Sequence, residues 1–227
     1  MAEQLSFPLP RLEARGREAF FVSPANALAV AQIEGWQDWP QGKLVLVGPE
    51  GAGKSHLANV WAGLAGARVV AARALPASDI GTLGTGPVAV EDAERIAGLA
   101  RAEAALFHLH NLMLAEGQPL LLTARRPPRQ WNLSLPDLAS RMEATQTATL
   151  EAPDDPLLTA LLVKLFADRQ IAPPPRLIDY CLKRMDRSFA AARDLVAALD
   201  ARSLASGRPL GVQLAAEVLD NPTPPLR

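Results

Sequence analysis

The chain has 227 residues, 49% hydrophobic and 21% charged, with a formal net charge of −1. That balance suits a globular protein able to bury ~70% of its unfolded surface without metal or disulfide staples, and it argues against duplex-DNA binding by bulk positive charge. One cysteine, Cys181, leaves no internal disulfide; with no leader-like start and no run of about 18 uncharged apolar residues, the expected compartment is the cytoplasm.

Residues 1–20 read as an arm, opening on "QLSFPLP" (4–10), where apolar side chains alternate and two prolines prevent a helix. "SPANALAVAQIEGW" follows, with Ser23 placed as N-cap and Pro24 at the first helical position. "KLVLVG" (43–48) is a short apolar run ending in glycine, a buried strand. "KSHLANVWAGLAG" (54–66) has helical periodicity and a glycine stop. "ARVVAA" (67–72) and "PVAVED" (87–92) read as strands, "RAEAALFHLHNLMLAEG" (101–117) as a long helix. "PLLLTA" (119–124) and "QTATLEA" (146–152) complete five strands. Their residues are apolar throughout rather than at every second position, which predicts a parallel sheet covered on both faces. Past residue 152 only helical patterns remain, so the expected class is α/β: a core at 21–152 with a five-stranded parallel sheet, then a small all-helical domain at 153–227.

"GPEGAGKS" (48–55) matches the phosphate-cradling pattern G-x-x-x-x-G-K-[ST], with a strand before it and a helix after it. Gly48, Gly51 and Gly53 let backbone amides turn inward; Pro49, Glu50, Ala52 and His56 complete the candidate nucleotide-binding stretch. Lys54 would reach the β- and γ-phosphates, and Ser55 would bind Mg²⁺ at the positive helix end. ATP or ADP with Mg²⁺ is the expected cofactor. Glu91 and Asp92 end the strand "VAVED"; one would hold magnesium, for which Glu91 is the candidate, and the other could polarise the attacking water. The alternative is that both carboxylates merely open a helix at its positive end. His108 and His110, two apart on a helix, face different directions and read as packing residues, as do Cys181, Trp36, Trp39 and Trp61. "ARRPPR" (124–129) is a small basic cluster open to a DNA, protein or purely solvated reading.

"GPEGAGKSHL", "LFHLHNLMLAEGQPLLLTARRPP", "LPDLASRM" and "AARDLVAALD", in that order, resemble segments of the AAA+ domain of the bacterial replication initiator DnaA. With "QLSFPLP" in front and no helix-turn-helix pattern after the last helix, the chain resembles the Hda-type family, DnaA homologues that inactivate DnaA. The resemblance implies an AAA+ P-loop core followed by a helical lid. It implies two partners, the DNA polymerase III β sliding clamp and DnaA, with DNA met only indirectly through the clamp, and a homodimer or AAA+ self-assembly as a further possibility. In the arm, Leu5, Phe7 and Leu9 would enter a hydrophobic groove of the clamp and Gln4 would anchor one end, with Ser6 and Pro8 between them; proline lowers the cost of ordering such a segment. The same residues could instead fold back on their own domain.

By the same resemblance Arg141 is the arginine finger, lent in trans to a neighbour's γ-phosphate, a contact worth roughly 10³–10⁵ in rate. Arg193 matches the second sensor on the lid, and Thr123 stands where the first sensor lies. Glu91 replaces an aspartate of DnaA, which implies at most weak intrinsic ATPase activity. The expected function is negative regulation of replication initiation by stimulating ATP hydrolysis on DnaA. A self-hydrolysing AAA+ loader or remodeller, and a DnaA-like origin-binding accessory factor, are the alternatives.

Overall fold

Residues 22–220 are described by the computed structural model; the arm motif at 4–9 lies outside the described residues. The sheet is built on β1 (Lys43–Val47), whose five residues are all buried. Side chains alternate along a strand. Val45 and Val47 therefore join Leu106, Leu109 and Met113 of one layer, while Leu44 and Leu46 join Leu57, Ala58 and Trp61 of the other. A strand with two apolar neighbours has no polar face, which is why its run is unbroken.

Around β1 stand β2 (Arg68–Ala71), β3 (Val88–Glu91), β4 (Leu120–Ala124) and β5 (Thr147–Thr149), in the order β2-β3-β4-β1-β5, every pairing parallel. The predicted five-stranded parallel sheet is thus present. β2 and β5 depart from the expectation of burial: both are edge strands, β2 with residues exposed or half-exposed and β5 with Thr147 and Thr149 exposed.

One face carries α1 (Ala27–Glu34) and α2 (Lys54–Ala65); the other carries α3 (Ile80–Leu83), α4 (Ala100–Ala115) and α5 (Pro136–Glu143). The tryptophans pack as expected: Trp39 stacks on Trp61 at 5.3 Å and Trp36 meets it edge-on at 6.5 Å. The start of α1 is a correction. The Ser23 carbonyl accepts from the N–H groups of Asn26 and Ala27, and Asn26 Oδ1 accepts from the Ser23 N–H at 2.8 Å. This closed turn consumes residues 23–26, so the helix opens at Ala27 and the Ser23 hydroxyl caps nothing.

The helical C-terminal portion comprises α6 (Asp155–Ala167), α7 (Pro175–Leu182), α8 (Phe189–Ser206) and α9 (Val212–Asp220). Asp154 and Ser188 cap α6 and α8 by accepting from the N–H groups of Leu157 and Ala191. These helices bury a third apolar cluster of their own, with Leu158, Phe166, Leu177, Cys181, Leu195 and Leu214 in it. No helix among the described residues is long and apolar enough to cross a membrane.

Candidate functional site

Val47 at the end of β1 lies opposite Ala124 at the end of β4, so both strands deliver their following loops to one edge. Strand order reverses here: from β1 the chain runs to the far side of β4, and from β4 it returns past β1 to β5. Open α/β sheets bind ligands in the crevice that such a reversal creates. The loop after β1 turns through Gly51 and Gly53 at φ 74° and 94°, a region that favours glycine. A Cβ on Gly51 would also lie 2.6 Å from the Cβ of Ser188, so the glycine admits the helical portion to the loop. The Phe189 N–H donates to the Gly51 carbonyl at 2.9 Å, and the Phe189 ring covers Gly53.

Lys54 is buried, and its Nζ donates to the carbonyls of Gly48 (2.7 Å) and Pro49 (2.8 Å). Burial holds the ammonium below its ordinary range; the carboxylate of Glu94 opposes this first, ahead of those of Asp92 and Glu50, while Arg125 adds to the depression. Ser55 and His56 are exposed in the first turn of α2. The surrounding protein, then the charges of Lys164 and Arg193, keep the His56 ring below the usual histidine range. The exposed Arg193 of α8 is thereby brought towards the phosphate cradle.

At the end of β3, Glu91 follows Ala89 onto the α2 face of the sheet, as Thr123 follows Leu121. Glu91 Oε1 is buried without a hydrogen-bond partner. Thr123 is buried, and its hydroxyl accepts from the Asp92 N–H at 3.2 Å. Asp92 itself sits at φ 55°, and its carboxylate pairs with Arg95 at 3.3 Å. Two further residues complete the edge. Glu94 Oε1 accepts from the Arg125 N–H at 3.0 Å while Oε2 is buried and unpartnered, and the Arg125 guanidinium pairs with Glu50 of the loop at 2.7 Å. A cleft of about 330 Å³ opens beside them, walled by Glu94, Arg95, Arg125, Arg126 and Trp131 with two neighbours.

Triphosphate and magnesium fit this edge. The loop has the required turns and a helix start behind it. No group of three His, Cys, Asp or Glu side chains among the described residues could hold a metal alone. Magnesium suits that sparse supply, because it keeps waters and shares ligands with phosphate oxygens. Ser55 and the orphaned Glu91 oxygen are the groups that would face it.

Arg141 is not brought to this edge. On α5, Leu138 and Met142 are buried one turn apart while Arg141 is exposed. Its charge acts on Lys43 and His110, and Lys43 begins β1 where the phosphate loop ends it. The four steps of strand from Lys43 to Val47 separate those ends by ~13 Å. The segment entering α5 is fixed by the buried Glu103, whose oxygens accept from the N–H groups of Gly98 (2.7 Å), Ser134 (3.1 Å) and Leu135 (2.7 Å).

Sequence reasoning named the loop, Lys54, Glu91, Asp92 and Thr123, and the structure gathers them. It marked Arg125 only as part of the basic cluster at 124–129, and it missed Glu94, Ser188 and Phe189. Glu94 was visible as a third acid in "EDAE", but its partners come from another strand, so nothing local distinguished it.

No family model matches the chain. The fold is that of an AAA+ core, a five-stranded parallel sheet followed by a helical portion. Within that class the chain has the fold of domain III of the replication initiation protein DnaA from Thermotoga maritima, with a TM-score of 0.77 and 17% identity over 88% of this chain and 93% of that one. DnaA from Aquifex aeolicus, in a structure bound to AMPPCP, matches with a TM-score of 0.68 at 17% identity over 82% of this chain; the match spans 65% of the Aquifex chain. The Thermotoga maritima RuvB Holliday junction branch migration motor follows with a TM-score of 0.62 at 18% identity, over 86% of this chain and 65% of that one.

Proposed function

We propose that this chain is a nucleotide-binding AAA+ regulator of the Hda type, acting in the cytoplasm to switch off the initiator DnaA. Its arm at 1–20 docks on the DNA polymerase III β sliding clamp through Gln4, Leu5, Ser6, Phe7, Pro8 and Leu9. Its core at 21–152 holds ADP or ATP with Mg²⁺ on Lys54, Ser55 and Glu91. Its lid at 153–227 reads that nucleotide through Arg193. Arg141 then enters the catalytic site of an adjoining DnaA and stabilises charge on the γ-phosphate, converting it to the ADP form.

The observation that carries this reading is the placement of Arg141. It is an exposed cation at the opposite end of β1 from its own phosphate loop, with a buried lysine and a buried histidine behind it. A guanidinium there cannot serve its own nucleotide and suits one presented by a neighbour. Asp92, turned towards Arg95, supports weak turnover of the chain's own ATP.

The test is hydrolysis of DnaA-bound ATP with clamp loaded on DNA. Wild type should accelerate it. Arg141→Ala should lose the acceleration, by 10²-fold or more on the scale of such fingers (~10³–10⁵), while still binding clamp. Gln4→Ala with Leu5→Ala should lose it through failed clamp binding. Acceleration by both variants equal to wild type would refute the proposal, and turnover of the chain's own ATP without DnaA would point to the loader class instead.

A further inference from the structure

Asp92 and Glu94 stand two residues apart after β3, and the structure treats them differently. Asp92 is drawn outward: its backbone is left-handed, its carboxylate pairs with Arg95, and nearly half of that side chain is in solvent. Glu94 is drawn inward. Oε1 is held by the Arg125 N–H, and Oε2 is buried with no donor. Among the charges acting on Lys54, that of Glu94 is felt most strongly. A buried carboxylate oxygen without a donor is costly to keep, and that cost is removed when a ligand brings the donor. The cleft beside it, about 330 Å³, has room for several waters at ~30 Å³ each.

From this we infer that Glu94 is a second carboxylate, beside the Glu91 already placed at the magnesium, and that it receives a water of the magnesium shell when nucleotide is bound, with Asp92 outside that shell. Lys54, now bonded to the carbonyls of Gly48 and Pro49, would release them to the phosphates. The cation–water assembly beside those phosphates would then give Glu94 Oε2 the hydrogen bond it lacks. Glu94 does not bind the metal directly in this assignment; it orients a ligand of the metal and thereby strengthens the metal–nucleotide complex.

The inference rests on the nucleotide-binding part of the proposed function and is tested separately from it. The full-length chain is titrated with a fluorescent ADP, with and without Mg²⁺, alongside Glu94→Gln, Asp92→Asn and Lys54→Ala. Glutamine keeps an acceptor for the Arg125 N–H, and thermal melts check that each variant is folded. Magnesium should tighten binding in wild type. Read as the ratio of affinities with and without Mg²⁺ within each variant, Glu94→Gln should lose about ten-fold of that tightening, and Asp92→Asn should lose less. If Glu94→Gln melts early, Glu94→Asp, which shortens the same charge, should show the same selective loss. Equal magnesium dependence in wild type and both Glu94 variants, or loss in Asp92→Asn instead, overturns the assignment of Glu94. Failure of wild type to bind nucleotide, or binding that Lys54→Ala leaves intact, overturns the cradle reading and this inference with it.

Discussion

Lys43 and His110 show how one residue in a strand can carry a pH response. Lys43 shares the β1 face of Val45 and Val47, which points it at α4, and its Nζ lies 3.0 Å from His110 Nε2. Both side chains are buried. With Lys43 charged and donating, the ring stays neutral and keeps its proton on Nδ1, facing Asn111 Oδ1 at 3.5 Å. Burial first, then the Lys43 charge, hold His110 down to about 4, against an ordinary 6.5; burial and then Arg141 hold Lys43 to about 8. Between pH 6.5 and 4 the unfolded chain takes up a proton here that the folded ring refuses. The folded state therefore loses stability as pH falls through that window, by up to ~3 kcal/mol. For Lys43 the window lies between about 8 and 10.5, and the unfolded chain again binds the extra proton, so its contribution rises with pH. Urea melts of His110→Gln against wild type should show the difference in stability changing between pH 6.5 and 4; parallel curves would remove His110 as the titrating group. The sequence marked His110 only as a packing residue, because the lysine that makes it more than that lies 67 positions away.

Among the elements, α5 and α8 depend on contacts that no local pattern announced. The amphipathic spacing of Leu138 and Met142 is short and begins at a proline, so the helix itself is easily passed over, yet Arg141 rides on it. Glu103 fixes its entry through three backbone donors on two segments. Glu103→Ala leaves those donors buried without an acceptor and should cost ~2–4 kcal/mol in chemical denaturation; Glu103→Gln, retaining one carbonyl oxygen, should cost less. A cost under about 0.5 kcal/mol would show that the segment holds itself. At α8 the approach of the capping Ser188 to Gly51 was not foreseeable from local pattern. Gly51→Ala combines a left-handed backbone with a Cβ at 2.6 Å from Ser188. It should lower the melting temperature by several degrees, on a strain of ~1–3 kcal/mol, and weaken nucleotide binding; an unchanged melt would show that α8 can step aside freely. Strands, by contrast, were all readable, β2 included; what the apolar runs did not announce was that β2 and β5 stand at the sheet edges with residues exposed.

At the scale of the whole molecule, the alternation of strand and helix followed by helices alone was enough to anticipate the parallel sheet and the helical portion, because both follow from which faces must be dry. The phosphate loop was legible because its requirements are backbone requirements, met by glycine at fixed spacing. What escaped was everything assembled across the carboxyl edge of the sheet, where Glu50, Glu94 and Arg125 meet from three loops. The contacts of Phe189 with Gly51 and Gly53 tie the glycine loop after β1 to the start of α8, so the proposed nucleotide grip and the tilt of the C-terminal helices are expected to change together. If nucleotide binding moves the loop, α8 should follow, and small-angle scattering should register nucleotide as a shift in the radius of gyration. A Phe189→Ala chain, its clutch disengaged, should keep the same envelope whether loaded or empty.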